Sequence, residues 1–320
     1  MSARIVVPDD YPPVFSGSAA ESRLRGLGEV TVHTERGADQ EPELIRRVAD
    51  AEVVLNIRAH ARYFARVLDA CPKLRLISIW GTGTDHVDLA ACQARGVTVV
   101  TTTGVNANAV AEHALALLLS LMRRIPALDH DLRAGGWARE PVVQLEGKTV
   151  GIIGLGAIGS RVATLLAPFG VLLLATSSRP DDGRAAAVGA RYVPIEVMLR
   201  ESDVVSLHLR VTPETQGYVS RERLALMKPT AFLVNTARGA LIDADALVDA
   251  LRHGRLAGAA LDVFQQEPIS AADPLLTLPN VVLTPHIAGM TPEVIEDGLD
   301  LAVRNIEQFL LTTPAIHAHS

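Results

Sequence analysis

The stretch "GKTVGIIGLGAIGSRVATLL", residues 147–166, constrains the fold more than any other part of the chain. An apolar run over residues 149–153 leads into Gly154, Gly156 and Gly159, and a helix-period pattern begins at once. In such a joint Gly154 permits the tight turn, Gly156 lets the backbone approach a pyrophosphate, and Gly159 lets the helix lie close on the strand. Ala157 and Ile158 open that helix, whose free N–H groups and partial positive charge suit phosphates. Three spaced glycines alone are a weak signal, because ordinary strand–turn–helix joints use them too. Here a second apolar run, residues 171–175, follows at the right distance, and the expectation is a dinucleotide-binding βαβ unit.

The second run ends in "TSSRP", where a binder of NAD normally offers an acid to the adenosine ribose hydroxyls. Ser177 stands there, 18 residues after Gly159, followed by Ser178 and Arg179. A carboxylate would repel a 2′-phosphate on that ribose, whereas hydroxyls and an arginine would welcome it. The expected cofactor is therefore NADP(H) in preference to NAD(H). The plainer alternative is an Arg179 that faces solvent beside an NAD site lacking its acid.

The 320 residues are long for one core and comfortable for two. With 48% apolar but only 4% aromatic residues, the interior must be built mainly from Ala, Val, Leu and Ile. That mixture suits parallel strands buried on both faces and covered by helices. The net charge of −6 is scattered, which argues against a nucleic-acid footprint. The start, "MSARIVVPDDYPPVF", lacks the pattern of a secretion signal, and the most apolar helical stretch, residues 109–122, is too short to span a bilayer. Cys71 and Cys92 make neither a disulfide framework nor a zinc site, so idle thiols, no metal and a cytoplasmic location are expected.

Along the chain, strand-like pieces at 4–7, 29–33, 52–57, 74–79 and 96–100 alternate with helix-period segments. "TTTGVN" (101–106) is a turn-rich boundary, followed by a long amphipathic helix over 107–124 that could connect domains or pair two copies. A second α/β series runs from Thr149 to Thr284. The last helix-like piece, 291–311, has Thr291 as a candidate cap and Pro292 in its first turn, and is long enough to cross back to the first unit. The final "AIHAHS" reads as a frayed tail rather than a metal site.

Three stretches fall at the carboxyl ends of expected strands, where open α/β sheets bind ligands. They are "LVNTARGALID" with Arg238, "GAALDVFQQEP" with Asp262 and Glu267, and "VVLTPHIAGMT" with His286. An arginine can clamp a carboxylate and polarise a carbonyl. A histidine can give or take the proton as a carbonyl becomes an alcohol, and a carboxylate bonded to it favours its charged form. Each residue also has a plain structural reading, and His33, His60, His86, His113, His130, His208 and His253 are given no functional role.

Together with "WGTGTDHVDLAACQARGVTVVTTTGVNANAVAEHALALLL", "TPETQGYVSRERLALMKPTAFLVNTARGALIDADAL" and "TPHIAGMTPE", these motifs cover nearly the whole chain. The chain resembles the D-isomer-specific 2-hydroxyacid dehydrogenases, a family that includes glyoxylate/hydroxypyruvate reductases and phosphoglycerate dehydrogenases. The resemblance implies two Rossmann-like doubly wound α/β domains. The substrate-binding one, flavodoxin-like, would be discontinuous (1–104 and 287–320) and the dinucleotide-binding one would span 105–286. It implies hydride transfer between a nicotinamide and C2 of a small 2-oxo or 2-hydroxy acid, in a homodimer paired through the helix after Asn106. On the same resemblance Arg238 binds the substrate, His286 is the acid/base, Glu267 tunes it, and Asp262 holds the nicotinamide carboxamide. Thr82 and Gly83 would receive the substrate carboxylate, and Arg58 matches a position that reaches substrate in some relatives. Thr212, Thr236, Ala237 and Gly289 fall along the cofactor.

Two departures from the family pattern are Ser177 in place of the acid and Arg210 in place of a common proline, on the adenosine side, where it would be a second phosphate partner or an idle exposed residue. The expected activity is reduction of a glyoxylate- or hydroxypyruvate-type substrate. The alternatives are a short phosphoglycerate dehydrogenase and a non-enzymatic, nucleotide-sensing corepressor-like protein.

Overall fold

The computed structural model describes residues 2–312, which leaves the histidines of the terminal "AIHAHS" outside the described residues. The chain divides into two compact units, one made from the chain up to Asn106 with the segment from Thr291 onward, the other from Ala107–Met290. The divisions lie at 106/107 and 290/291, where the sequence placed them at 104/105 and 286/287. Residues 287 and 288 stay with the second unit because their amides are bonded inside it, to Asp262.

In the first unit β1 (Ala3–Val7), α1 (Ala19–Arg25), β2 (Gly28–Val32), α2 (Glu41–Val48), β3 (Val53–Asn56), α3 (Ala65–Asp69), β4 (Leu76–Ile79), α4 (Leu89–Ala94) and β5 (Thr98–Thr101) alternate. Their five strands form a parallel sheet in the order β2-β1-β3-β4-β5. β3 and β4 are buried at every position, which is why they read as mostly apolar runs with no alternation, Asn56 and Ser78 being the buried polar exceptions.

The second unit holds α5 (Ala107–Met122), α6 (Ile125–Arg133), β6 (Thr149–Ile153), α7 (Ala157–Leu166), β7 (Leu172–Thr176), α8 (Asp182–Ala187), β8 (Ala190–Tyr192), α9 (Ile195–Glu201), β9 (Val204–Leu207), α10 (Arg221–Leu224), β10 (Phe232–Asn235), α11 (Ala244–Arg252), β11 (Gly258–Leu261) and β12 (Val281–Leu283). Its seven parallel strands run β12-β11-β10-β9-β6-β7-β8. Strand order reverses between β6 and β9, so the crevice at their carboxyl ends is the switch point of a doubly wound sheet.

Thr291 caps the last helix, α12 (Pro292–Thr312), by accepting the Val294 N–H at 3.3 Å. α12 returns to the first unit, burying Leu299, Ala302, Val303 and Ile306 with Ile5, Leu55 and Leu76. Full burial of each of those larger aliphatic side chains stabilises by roughly 1.5–3 kcal/mol. The long helix expected over 107–124 stops at Met122. Arg124 takes the left-handed conformation (φ 52°) and turns the chain into α6, which has Pro126 in its first turn and no buried residue. α5 is a core helix of its unit, with Val110, Ala111, Ala114, Leu117, Leu118, Leu121 and Met122 inside. Among the described residues no helix is long and apolar enough to cross a membrane, and no group of His, Cys, Asp and Glu is placed to hold a metal. Cys71 and Cys92 are buried free thiols.

Candidate active site

The three glycines of the β6–α7 turn meet three different surroundings. Gly154 has φ +96°, and a Cβ there would lie 2.7 Å from the His208 carbonyl oxygen. At Gly159 a Cβ would lie 2.1 Å from the Gly154 oxygen, so the close seat of α7 depends on its absence. At Gly156 a Cβ would meet nothing within 4 Å. Protein does not use the space that this last glycine leaves, and such space admits the phosphates of a dinucleotide.

The neighbouring strand end is tied to this turn, since the Gly154 N–H donates to the Thr176 carbonyl at 2.9 Å. Ser177, Ser178 and Arg179 follow directly, with the Ser177 hydroxyl accepting the Arg179 N–H at 3.1 Å. Arg184, from the first turn of α8, donates to the Leu155 carbonyl at 3.1 Å. On the other side of the switch point, His208 follows β9 and pairs with the Ser206 hydroxyl at 2.9 Å. Burial pushes its imidazole down to about 4 from an ordinary 6.5. Arg210 is exposed and gives its carbonyl to the Thr215 hydroxyl at 2.7 Å, while Thr215 also accepts the Thr212 N–H at 2.7 Å.

Past β10, Asn235 organises the turn that carries Thr236, Ala237 and Arg238. Its side chain accepts the Ala237 N–H at 2.9 Å and donates to the Arg238 carbonyl at 2.8 Å. Within this turn the Thr236 hydroxyl is buried and lacks a hydrogen-bond partner, a polar atom positioned for a bound molecule. The Arg238 guanidinium donates to the Ala237 carbonyl at 2.8 Å. A Cβ at Gly239 would stand 2.1 Å from the Phe264 carbonyl carbon, so this turn lies directly against the one after β11.

That second turn presents Glu267, whose Oε2 accepts from or shares a proton with His286 Nδ1 at 2.7 Å. The other carboxylate oxygen accepts the Phe264 N–H at 3.0 Å. Burial pushes the Glu267 carboxyl up, but the His286 and Phe264 hydrogen bonds, with Arg238 nearby, outweigh it and hold the group below its ordinary range. His286 itself has φ +53°, a left-handed conformation uncommon outside Gly, although His, with Asn and Asp, enters it more often than most residues. Asp262 holds the turn in that shape. Fully buried, it accepts from the Thr284 hydroxyl at 2.6 Å and from the Ile287 and Ala288 amides at 2.9 Å each. His113 of α5 completes the support, its Nε2 3.0 Å from the Thr284 hydroxyl and 3.6 Å from Asp262. Gly289 follows two residues after Ile287 in the same loop.

In the first unit, Thr82 and Gly83 follow β4 in a turn clamped by Thr102, which accepts the Gly81 N–H at 2.8 Å. The Thr82 hydroxyl is buried without a partner. Arg58 turns inward and donates to the Pro12 carbonyl. Burial lowers its affinity for the proton, and Asp10 and Asp9 counter that. Trp80 packs on α12, where a Cβ at Gly298 would meet its indole nitrogen at 2.3 Å. His60 pairs with the buried Asp9 at 3.0 Å and His86 with Asn56 at 2.9 Å, both structural partnerships.

Sequence reasoning passed over three residues around the second unit's strand ends, His113 of α5, His208 after β9 and Arg184 of α8. Only Arg184 had a usable signal, a second arginine five residues beyond Arg179.

Comparison with known proteins matches residues 115–288 to the D-isomer specific 2-hydroxyacid dehydrogenase, NAD binding domain. A glyoxylate reductase of Thermofilum pendens is 39% identical over 89% of this chain and 86% of its own. A D-3-phosphoglycerate dehydrogenase of Mycobacterium tuberculosis is 41% identical over 90% of this chain, which spans only 55% of that protein's length. Among solved structures, an NADPH-dependent glyoxylate/hydroxypyruvate reductase from Sinorhizobium meliloti, in complex with NADP and malonate, superposes with a TM-score of 0.85 at 31% identity. That superposition covers 99% of this chain and 96% of the other.

Proposed function

This chain belongs to the D-isomer specific 2-hydroxyacid dehydrogenases, NAD(P)-dependent oxidoreductases of 2-hydroxy acids, and on that premise we propose that it reduces a glyoxylate- or hydroxypyruvate-type 2-oxo acid with NADPH. The observation that carries the reading is the 2.7 Å Glu267–His286 pair beside Arg238 at the strand ends of a dinucleotide fold.

The residues fit a dinucleotide: the open space at Gly156 and the orphaned Thr236 hydroxyl are both where one would lie. Gly154 to Gly159 would hold the pyrophosphate, Thr212, Thr236, Ala237 and Gly289 would lie along the cofactor, and Asp262 would take the carboxamide. Asp262 has a lone-pair direction left for this, since a carboxylate offers about four and three are used here, but it is fully buried, so the turn must open for the carboxamide to reach it. When bound, the nicotinamide supplies the hydride that C2 of the oxo acid accepts.

The chain does the rest. Arg238 binds the carboxylate and draws electron density toward the carbonyl oxygen. His286 gives that oxygen a proton from Nε2, because Nδ1 is already turned to Glu267. Glu267, ionised through its partners, holds Nδ1 at 2.7 Å and fixes the ring throughout. Thr82 and Gly83 are proposed to receive the substrate carboxylate through their backbone, and Arg58 to serve substrate only after leaving the Pro12 carbonyl. The 2′-phosphate is assigned to Ser177, Ser178 and Arg179, with Arg210 as a further candidate.

A homodimer is part of the same proposal. The helix after Asn106, expected to pair the copies, is largely buried as α5, whereas α6 buries nothing, and Ile125, Leu132, Trp137 and Val143 stand exposed along it and the segment after it. A monomer in sedimentation equilibrium would remove that part. Two buried free thiols and the reducing cytoplasm go together on this reading.

The test is initial rates of NADPH and NADH oxidation with glyoxylate, hydroxypyruvate, pyruvate, longer 2-oxo acids and, in reverse, 3-phosphoglycerate. Fast turnover of the short oxo acids with NADPH is expected. Selective use of 3-phosphoglycerate would replace the substrate assignment, preference for NADH would replace the cofactor assignment, and no turnover at all would favour a nucleotide-sensing role.

A further inference from the structure

We propose that Arg184 is a ligand to the adenosine 2′-phosphate, an inference that rests on the NADP(H) reading above and adds a residue to it. Arg184 lies in the first turn of α8, beyond the segment that normally decides cofactor choice. Yet the fold returns its side chain to the glycine turn. Gly154 and Thr176 are joined by the 2.9 Å hydrogen bond between their backbones, so the residues that follow them, Leu155 and Ser177, are neighbours. The Arg184 guanidinium is anchored on the Leu155 carbonyl at 3.1 Å, on the glycine-turn side of that joined pair, and Ser177 with its bond to the Arg179 N–H follows on the other.

A guanidinium has five N–H donors, and the Leu155 carbonyl takes one. Asp181 is the only other partner described, at 3.5 Å, too long for a strong hydrogen bond. That pair is half exposed, at 49% on each side, and such pairs contribute little. Asp181 meanwhile accepts the Arg184 N–H at 3.0 Å and so caps α8, which keeps its carboxylate at the helix rather than at the ribose. The side chain is thus fixed at one end, open to solvent, and rich in donors matched to a phosphate dianion. Anchoring on a carbonyl also means that less side-chain freedom is lost when the phosphate arrives.

The test is calorimetric binding of 2′,5′-ADP and 5′-AMP, which differ only in the 2′-phosphate, to the full chain and to Arg184→Ala and Arg184→Lys. The unaltered chain is expected to hold 2′,5′-ADP at least tenfold more tightly. Arg184→Ala should cut that ligand's affinity by roughly 10- to 100-fold and leave 5′-AMP within about twofold, while Arg184→Lys recovers part of the loss. Equal weakening of both ligands would make Arg184 only a brace for the glycine turn and overturn the proposal. So would unchanged binding of both. If the unaltered chain does not distinguish the two ligands, the NADP(H) reading fails first, and this assignment with it.

Discussion

Two alanine substitutions in one turn separate what glycine does for the fold from what it does for the ligand. At Gly159 the added Cβ would lie 2.1 Å from the Gly154 carbonyl oxygen and 3.2 Å from Ile152 Cγ2. The first obstacle is backbone, which cannot swing aside, so α7 would have to withdraw by about 1 Å to reach an ordinary contact distance. That movement loosens Val162, Ala163 and Leu166, all buried against the sheet. Overpacking of this kind costs about 1–3 kcal/mol, which in a unit of this size lowers Tm by roughly 3–10 °C.

At Gly156 the balance differs. The residue has φ −83° and ψ −159°, which any amino acid can adopt, and the Cβ meets no protein atom within 4 Å. It is the N-cap of α7, where alanine is worse than glycine by about 0.5–1 kcal/mol, and the stiffer unfolded chain offsets about 0.4–1 kcal/mol of that. Tm should therefore move by no more than about 2 °C. Cofactor affinity should fall by about tenfold or more, because the methyl enters space the pyrophosphate needs. Thermal melts without cofactor, followed by fluorescence titration with NADPH, read both quantities. The reasoning is refuted if Gly156→Ala binds NADPH as the unaltered chain does, or destabilises as much as Gly159→Ala.

His286→Gln should reduce kcat by about 10²- to 10⁴-fold while NADPH affinity stays within about threefold, and a near-normal kcat would remove His286 from proton transfer. His208 gives a prediction about stability. Its imidazole is held at about 4 by burial against 6.5 when free, so between those values the unfolded chain binds a proton that the folded one refuses. This stability is fully present above pH 6.5 and is lost as pH falls toward 4. Between pH 7.5 and 5 the loss amounts to about 2 kcal/mol, and it should vanish in His208→Gln. Urea unfolding at the two pH values measures it, and an unchanged pH slope in the variant would show that His208 is not the group responsible.

How much of this was legible in the sequence depends on the range over which each feature is encoded. Strands buried on both faces announce themselves as apolar runs, so β3, β4, β6, β9 and β10 were plain, and with them the doubly wound α/β class. Arg238, Glu267 and His286 were conspicuous because each follows such a run within a few residues. α6 was missed because a helix that buries nothing lacks the internal packing by which a core-facing stripe is interpreted. The packing of Trp80 was not legible locally, because its partner, Gly298, comes from the other end of the chain.

The supports of the candidate site share that last property. His113 looked like one polar residue on an apolar helix, since its partner Thr284 lies 171 residues away. Asp262 reads from sequence as a single carboxylate near a cofactor, but in the fold it bonds both amides after His286 and the Thr284 hydroxyl, holding a histidine at φ +53°. A left-handed histidine costs of order 1–3 kcal/mol, and three hydrogen bonds to one buried carboxylate are enough to sustain it. It follows that Asp262→Asn should disturb His286 even where cofactor binding survives. The amide can accept at one atom only, and its NH₂ would face either the Ala288 amide or the Ile287 amide with the Thr284 hydroxyl, whichever oxygen it replaced. Placement of the proton-transfer group in this chain is thus built from long-range bonds, while its identity is written locally.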